Sequence, residues 1–307
     1  MTGDRSRVAL VTAAPARGLD DDLPPLTAAL AAAGVPHEVV LWDDPGVDWA
    51  GFGLVVIRSV WDYVHRREEF LAWAERTAAV TAFVNPPAHL RWSSDKRYLA
   101  DLQAAGVPTV PTAFAAPGEP MAWPDAPQVV VKPAVSAGSI DTSKYRMNSG
   151  GRSNERTPAD AVEHVARLHA EGRVAMAQPY LDAVEGERGE TALVFLEGRF
   201  SHACRKGPML VPGLAVVGGL FVEEDIRPAA PTAAELAVAE ATLAAIPGGP
   251  SLYARVDVIP DGAGDPVVLE LELVEPSLFL MFAEGGAGRV AGAIAARLSR
   301  GGPTAPA

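Results

Sequence analysis

Residues 267–277 read VVLELELVEPS, and this stretch decides the fold because it places carboxylates inside an apolar strand pattern. Side chains alternate between the two faces of a strand, so its leucines share one face while Glu270 and Glu272 share the other. Glu275 has the opposite parity and leaves that face unless Pro276 or a bulge turns the chain. A strand face built of carboxylates either faces solvent or holds a cation.

The preceding strand pattern, ARVDVI at 254–259, puts Arg255 and Asp257 on one face. The segment between the two patterns, PDGAGDP, is a turn, so the strands can pair as a hairpin. Asp257, Glu270 and Glu272 can then share a face, where like charges opposed across strands are destabilising. A solvated face is the alternative for the second strand alone. Three clustered carboxylates favour a bound Mg²⁺, which takes oxygen ligands and prefers carboxylates together with phosphate oxygens.

A Mg²⁺ ion held in this way predicts a bound nucleotide. The phosphates of that nucleotide need cations of their own, and the lysines are the candidates. Lysine occurs four times among 26 basic residues, which suggests tasks that suit a compact point charge. Lys132 ends the apolar strand pattern QVVVKP, where an ammonium group is costly unless it faces an anion. We predict that Lys96 lies in the first turn of a helix capped by Ser94. Arg205 and Lys206 follow the pattern RFSHAC. The alternative for Lys132 is a solvated strand end, and the alternative for Lys96 is a surface position on a helix. For Arg205 and Lys206 the alternative is a pair of loop residues.

The order of elements indicates how the chain is organised. Strand patterns alternate with helix patterns in the first 92 residues, which predicts a doubly wound parallel sheet. Ligands bind such sheets at the carboxyl ends of the strands, where RSVWDY (58–63) lies. We divide the chain into 1–92, 93–174 and 175–307. The polar stretch at 136–154 is long for a loop in a compact domain, and such loops are commonly functional or mobile.

Composition excludes several classes of protein. The chain has 307 residues and a formal net charge of −12, which disfavours nonspecific binding to nucleic acid or anionic membranes. No apolar run approaches the roughly 18 residues of a membrane span. The first apolar run reads as a strand, not as a signal peptide. Cys204 is the only cysteine, which fits a cytoplasmic enzyme.

Taken in this order, the residues resemble the ATP-grasp superfamily of carboxylate–amine ligases. The resemblance covers about residues 8–290 and rests on the ordered set of elements, because no single motif is as specific as a P-loop. It implies an α/β (α+β) protein with an ATP-grasp fold. A doubly wound parallel-sheet lead domain would precede two α+β subdomains that clasp ATP.

The resemblance also implies roles for individual residues. Lys96 and Lys132 would contact the ATP phosphates, the loop 136–154 would close over them, and Arg205 would bind the transferring phosphoryl group. The ATP-binding set is then Lys96, Lys132, Ser136, Gly138, Gln178, Pro179, Tyr180, Leu181, Glu187, Glu190 and Arg205. In this set the backbone of 179–181 would form the hinge that binds adenine, with Gln178 nearby, and Glu187 or Glu190 would hold the ribose. Asp257, Glu270 and Glu272 would carry Mg²⁺, and the catalytic cations would be Lys132, Arg205 and Arg255. Gln178 stands where the family commonly has an acid, and Glu272 where it usually has asparagine.

Within this superfamily, RSVWDY, NPP, RWSSDKRYLADLQAAGVPTVPT and ELVEPSLF are similar to the cyclo-ligases of cycloserine biosynthesis. These enzymes close O-ureido-D-serine to an isoxazolidinone ring. The resemblance implies activation of a substrate carboxylate as an acyl phosphate, which a nitrogen of the same substrate then captures. An intermolecular ligase and a noncatalytic ATP-binding module are the alternatives.

The partner that we expect is a small amino-acid-like substrate, and the sequence leaves a homodimer open. The substrate candidates are Arg58, Trp61, Asp62 and Tyr63. Arg58 could pair with a carboxylate and Asp62 with an ammonium group. Packing at a domain junction is the alternative for all four.

Overall fold

A computed structural model describes residues 6–148, 156–186, 188–208, 216–222 and 225–300 of the chain. Glu187 and the residues of the predicted lid from 149 to 154 therefore lie outside the described residues. Within the described ranges the chain forms one parallel sheet, two larger antiparallel sheets and a two-stranded hairpin.

The amino-terminal part forms a parallel sheet, as the alternating patterns predicted. Its strands, in chain order, are β1 (Val8–Thr12), β2 (His37–Leu41), β3 (Leu54–Ser59) and β4 (Ala82–Phe83). They lie in the spatial order β2-β1-β3-β4, and each pair is parallel. Val8 and Leu10 of β1 pack in one apolar cluster, whereas Ala9 and Val11 pack in another. Both faces of the sheet are therefore apolar and need cover.

Helices cover both faces, which confirms the doubly wound lead domain. The helices of the described residues are α1 (Leu23–Ala32), α2 (Arg67–Ala78), α3 (Pro87–Ser93), α4 (Tyr98–Ala104), α5 (Pro158–Ala170), α6 (Ala233–Ala244) and α7 (Gly286–Ser299). Leu26 of α1 and Ile294 of α7 pack on one face, and Phe70 and Trp73 of α2 on the other. Because α7 comes from the far end of the chain, the core of the lead domain includes residues from the carboxyl-terminal part. The three-part division of the chain stays a prediction.

The central part of the chain forms an antiparallel sheet backed by α5. Its strands are β5 (Ala113–Ala115), β6 (Gln128–Pro133), β7 (Ser143–Arg146) and β8 (Ala175–Pro179), in the spatial order β5-β8-β6-β7. Thr157 and Asp160 form a capping box at the start of α5. Val129 and Val131 of β6 pack against Leu168 of α5. The opposite parity turns Lys132 away from this core.

The carboxyl-terminal part forms a five-stranded antiparallel sheet and a small hairpin. The sheet strands are β9 (Glu190–Leu196), β10 (Arg199–Lys206), β13 (Ile226–Ala229), β14 (Tyr253–Pro260) and β15 (Pro266–Glu272), and the hairpin strands are β11 (Val216–Val217) and β12 (Phe221–Val222). The spatial order is β13-β10-β9-β14-β15. The turn between β9 and β10 uses Glu197 and Gly198, both with positive φ, which suits a two-residue hairpin.

The two faces of this sheet have different surroundings. Leu193, Val256 and Leu271 pack with α4 and α6 on one face. The side chains of opposite parity form the other face, and this face is polar in the region of β10, β14 and β15. Short 3-10 turns complete the fold at Ala14–Ala16, Trp49–Gly51, Trp61–His65, Asp182–Glu185 and Leu280–Phe282.

Candidate active site

The three larger sheets meet around a cavity of about 800 Å³. This volume lies within the range of pockets that bind cofactors and drug-sized ligands. The lead domain contributes loops that follow β1 and β3, the point at which a doubly wound sheet opens a ligand crevice. The predicted site residues that line the cavity are Trp61, Tyr63, Lys96, Lys132, Ser136, Gly138, Gln178, Pro179, Tyr180, Leu181, Glu190, Arg255, Glu270 and Glu272.

The acidic strands pair as the sequence predicted. In the antiparallel pair β14–β15, Asp257 lies opposite Glu270 and Arg255 lies opposite Glu272, with a register shift directly after Asp257. The four side chains share the polar face of the sheet. Glu275 also lines the cavity, so the chain turns after β15 and brings this residue back toward the face that its parity would leave.

Lys96 lies directly against the acidic strand. Its Nζ is 3.1 Å from Oε1 of Glu270 and donates to the carbonyl oxygen of Ser136 at 2.7 Å. Lys96 is only 6% exposed, so this ammonium group is held within the protein. The contact places a cation beside the carboxylate strand, and the predicted contact of Lys96 with ATP phosphates stays a prediction.

The predicted backbone setting of Lys96 is wrong. Ser94 is the C-cap residue of α3, and α4 begins only at Tyr98. Lys96 therefore lies in the turn between these two helices. Its backbone N–H donates to the carbonyl oxygen of Ala134, 2.8 Å away. The segment after β6 therefore positions Lys96, and a helix cap does not.

Lys132 belongs to the same charged corner. Burial lowers the pKa of Lys132, Glu270 raises it and Lys96 lowers it again, and the net result is a lowered pKa. Burial would raise the pKa of Glu270, but Lys96 and Lys132 outweigh burial and hold that pKa below its usual range. Two ammonium groups thus converge on one ionised carboxylate, and an incoming polyanion could share them.

A second network lies deeper in the sheet. Arg255 donates to both carboxylate oxygens of Asp257 at 2.8 Å and to Glu272 at 2.5 Å. Nζ of Lys206 lies 2.7 Å from Glu190 and 3.3 Å from Asp257. Burial would raise the pKa of Asp257, but Arg255 and Lys206 outweigh burial and the pKa is strongly lowered. Asp257 is therefore an ionised, fully engaged partner of two cations.

The predicted metal triad is only partly brought together. Among the residues that the structure describes, no group of three or more histidine, cysteine, aspartate or glutamate side chains is spaced to hold a metal. Asp257 is bonded as described above, and it does not line the cavity. Glu270 and Glu272 do line it and offer carboxylate oxygens two residues apart on one strand, so these two residues fit a bound Mg²⁺.

The pKa values of the carboxylates near this pair also fit a bound cation. Burial raises the pKa of Glu272 to about 8, with Arg255 opposing and Glu270 adding to the rise. Burial likewise raises the pKa of Glu275 to about 7, with Lys96 opposing the rise. The carboxylates therefore outnumber the cations available to them, and a divalent ion would favour their ionised forms.

The structure does not bring Arg205 into the cavity. Neighbouring residues of β10 point to opposite faces, so Lys206 faces the cavity and Arg205 faces α6. The Arg205 guanidinium donates to Thr191 and to the carbonyl oxygen of Arg188, and it lies 3.7 Å from Glu235. The predicted contact of Arg205 with the transferring phosphoryl group is thus at odds with the strand parity, and Lys206 is the cation of β10 that lines the cavity.

The predicted adenine hinge borders the cavity at the end of β8. Nε2 of Gln178 donates to Oγ1 of Thr112 at 2.9 Å, so this side chain is tied to the protein. The backbone N–H of Tyr180 donates to the carbonyl oxygen of Gln128. Glu190, one of the two ribose candidates, lines the cavity but is already paired with Lys206. Its alternative, Glu187, lies outside the described residues.

The described part of the predicted lid packs against the small hairpin. Gly138 has a φ of +59°, and a Cβ there would lie 2.3 Å from the carbonyl oxygen of Leu220 and 2.6 Å from Cα of Phe221. Only glycine permits this approach. The ring of Phe221 in turn contacts that of Trp61, with centroids 5.2 Å apart. The described part of the predicted lid, the hairpin and the lead domain therefore meet at the cavity.

The four substrate candidates separate into two pairs. Trp61 and Tyr63 line the cavity. Arg58 is 2% exposed and lies against Asp20 and Asp22, and Asp62 accepts from Nε1 of Trp42. The predicted substrate contacts of Arg58 and Asp62 are therefore not supported, because both side chains are engaged in packing at the lead domain, the alternative considered for them.

Known proteins resemble this chain over nearly its whole length. Residues 8–85 match the model of the D-cycloserine synthetase DcsG amino-terminal domain. The chain is 42% identical to the cycloserine biosynthesis protein DcsG of Streptomyces lavendulae over 308 residues, which cover 95% of this chain and 98% of that protein. The chain belongs to the DcsG family.

Solved structures show which fold this chain has. The crystal structure of the D-cycloserine synthetase DcsG superposes with a TM-score of 0.82 at 40% identity, covering 95% of this chain and 99% of that one. The ATP-grasp ligase PsnB, solved with its minimal precursor, Mg and ADP, shares the fold with a TM-score of 0.58 at 18% identity, covering 97% and 99% of the two chains. The predicted ATP-grasp fold and ligase class are confirmed.

Sequence reasoning missed two features of this DcsG-family site. Lys206 was considered only together with Arg205, although strand parity separates them and the four-lysine composition singles out Lys206. Asp20, in the loop after β1, lines the cavity and carries no periodic signal that could have revealed it. Among the described helices, none combines the length and the apolar character needed to cross a membrane.

Proposed function

We propose that this DcsG-family ligase uses ATP to cyclise O-ureido-D-serine to D-cycloserine. The γ-phosphoryl group of ATP passes to the substrate carboxylate, giving ADP and an acyl phosphate. The nitrogen bonded to the side-chain oxygen then attacks the acyl carbon, loses its proton, forms the ring C–N bond and expels phosphate. D-Cycloserine has no carbamoyl group, so hydrolytic loss of that group as carbon dioxide and ammonia completes the balance.

One observation carries the proposal. In a chain 42% identical to the cycloserine biosynthesis protein DcsG, Lys96 and Lys132 converge on Glu270 in a cavity that the lead domain also lines. Phosphoryl transfer requires mainly positioning and neutralisation of spreading charge, and this corner supplies both. Lys206, held by Glu190 and Asp257, adds a third ammonium group to the same face of the sheet.

The chain's own residues would divide the work as follows. Lys96 and Lys132 bind the ATP phosphates, and Gln178, Pro179, Tyr180 and Leu181 border the adenine. Mg²⁺ held by Glu270 and Glu272 would neutralise charge on the transferred phosphoryl group. Arg255 keeps Asp257 and Glu272 in place. Ser136 and Gly138 belong to the loop that excludes water from the acyl phosphate, since hydrolysis would waste it.

Ring closure is favoured because the nucleophile belongs to the activated substrate. Intramolecular reactions in a well-oriented geometry reach effective molarities of about 10⁵ M or more. A second amino acid would have to share the cavity with ATP and the first substrate. We therefore favour cyclisation over intermolecular ligation.

The test is product formation by the purified protein. With ATP, Mg²⁺ and O-ureido-D-serine we expect equimolar ADP, phosphate and ammonia, with the mass of D-cycloserine by mass spectrometry. Reactions without ATP and with pairs of common amino acids are the controls. Phosphate release only with amino-acid pairs would establish the intermolecular alternative, and nucleotide binding without ADP formation would establish the noncatalytic one.

The cellular setting is also a proposal. A cytoplasmic enzyme fits the single cysteine and the requirement for ATP. A homodimer stays a prediction, which analytical ultracentrifugation of the purified protein would test.

A further inference from the structure

Seven carboxylate residues line the cavity, and most have a cationic partner nearby. Glu190 pairs with Lys206, Glu270 with Lys96, and Glu272 with Arg255. Glu275 lies in the field of Lys96. The other three, Asp20, Asp21 and Asp22, are consecutive in the loop between β1 and α1.

Asp20 differs from the rest because half of its carboxylate is unused. Oδ1 of Asp20 accepts from the backbone N–H of Asp22 at 3.1 Å and lies 3.6 Å from Nη2 of Arg58. Oδ2 of Asp20 is buried and has no hydrogen-bond partner among the described residues. The residue as a whole is 8% exposed and lines the cavity. A buried carboxylate oxygen without a partner is costly, and a ligand donor would remove the cost.

Asp22 cannot be the residue that lacks a partner. Its two oxygens accept from the backbone N–H groups of Leu278 and Leu280 at 2.5 and 2.7 Å, and Arg58 donates to it at 3.3 Å. Arg58 is therefore shared between two carboxylates. The buried cluster of Asp20, Asp22 and Arg58 therefore contains two carboxylates and one guanidinium group.

The position of Asp20 suits a substrate group. The loop that carries Asp20 follows β1, and Arg58 ends the neighbouring β3, so both lie at the switch point where the strand order of the sheet reverses. Ligands of doubly wound sheets bind there. Trp61, Tyr63 and Phe279 line the same cavity and bound the space toward the acidic strand.

From this geometry we infer that Asp20 binds the α-ammonium group of the amino-acid substrate. The inference rests on the proposed function and adds a specificity-determining residue to it. The substrate carboxylate is directed toward the ATP phosphates, and its ammonium group is directed toward Asp20. Asp20 takes the role that the sequence assigned to Asp62, whose carboxylate is bound to Trp42.

The test compares two substrates that differ only in the ammonium group, O-ureido-D-serine and 3-(ureidooxy)propanoate. In the wild-type enzyme we expect kcat/KM for phosphate release to be at least about 30-fold lower with the second compound, the loss typical of one buried charge pair. Asp20→Asn should raise KM for O-ureido-D-serine by a similar factor and leave KM for ATP unchanged. For 3-(ureidooxy)propanoate the variant and the wild type should agree within about twofold. Asp44→Asn, at an exposed position of the lead domain outside the cavity lining, is the matched control and should behave as wild type.

Two results would overturn the assignment. One is equal use of both compounds by the wild-type enzyme, which needs no variant and so does not depend on whether Asp20→Asn folds. The other is an equal rise of KM for both compounds in Asp20→Asn, which indicates a general distortion. Failure of the proposed function is distinct, because the wild-type enzyme would then release no phosphate with O-ureido-D-serine.

Discussion

Arg205 and Lys206 are adjacent cations of β10 with separate roles. Lys206 is 4% exposed and holds Glu190 and Asp257 on the cavity face, whereas Arg205 lies against Thr191 and Glu235 on the helix face. Two adjacent residues of a strand cannot both reach one site, because their side chains point to opposite faces of the sheet.

This parity predicts opposite outcomes for two substitutions. Lys206→Met leaves two buried carboxylates without their ammonium partner, so we expect ADP release to fall by at least about 100-fold and the free energy of unfolding to fall by about 3–5 kcal/mol. Arg205→Met should keep turnover within about threefold of wild type. Steady-state assays and urea unfolding measure both effects. Equal losses of turnover in the two variants would show that Arg205 also acts in the catalytic site.

At the scale of elements, the approach of the lid to the hairpin depends on Gly138. Gly138→Ala introduces a Cβ into contact with Leu220 and Phe221, so we expect the lid to be displaced and KM for ATP to rise by about tenfold or more. Gly34→Ala is the matched control, since Gly34 has a φ of +68° and nothing lies within 4 Å of the added Cβ. Both variants should lose about 1 kcal/mol of stability from strained φ. A normal KM for ATP in Gly138→Ala would show that the contact has no role in nucleotide binding.

A buried histidine makes the packing of α5 on the central sheet sensitive to pH. Nδ1 of His164 is 2.9 Å from the hydroxyl of Tyr145, and burial, aided by Arg167, lowers the pKa of His164 to about 4. The folded state therefore keeps His164 neutral, while the unfolded chain takes up a proton below its ordinary pKa near 6.5. Stability is complete above pH 6.5 and falls as the pH drops toward 4, by about 1.4 kcal/mol at pH 5.5.

The measurement for His164 is urea unfolding at pH 7.5 and pH 5.5. His164→Gln removes the titrating ring, so the difference between the two pH values should shrink by about 1 kcal/mol relative to wild type. An unchanged difference would mean that other groups account for the pH dependence.

At the scale of the whole molecule, the two ends of the chain share one core. Leu26 and Leu30 of α1 pack with Val290 and Ile294 of α7, and Asp22 binds the backbone at Leu278 and Leu280. Removing the carboxyl-terminal part would expose one apolar face of the lead sheet.

This arrangement predicts that a fragment of residues 1–92 does not fold alone. We expect no cooperative thermal transition by circular dichroism for the fragment, whereas the full chain should show one. A cooperative transition in the fragment would mean that α7 is dispensable for the lead domain.

Much of this architecture follows from local patterns in the sequence. The doubly wound sheet and the β14–β15 hairpin were predicted from alternation and turn residues. These features depend on periodicity, which a single sequence displays. The roles of Lys96 and Lys132 as phosphate contacts, inferred from the rarity of lysine in the chain, stay predictions.

Other features depend on contacts between distant segments and could not be predicted. The turn around Lys96 is fixed by Ala134 and Ser136, so the helix signal at Ser94 was misleading. Arg58 and Asp62 were taken for substrate contacts because their partners, Asp20 and Trp42, lie far away in sequence. The engagement of Asp257 by two cations required the register of three strands.

The central claim is that the acidic strand and the two lysines hold a nucleotide with its metal. A crystal structure of the protein with Mg²⁺ and a non-hydrolysable ATP analogue tests it most directly. We expect one metal ion bridging Glu270 or Glu272 to phosphate oxygens, with Lys96 and Lys132 within hydrogen-bond distance of the phosphates. Density for the nucleotide elsewhere, or phosphates beyond the reach of both lysines, would contradict the claim.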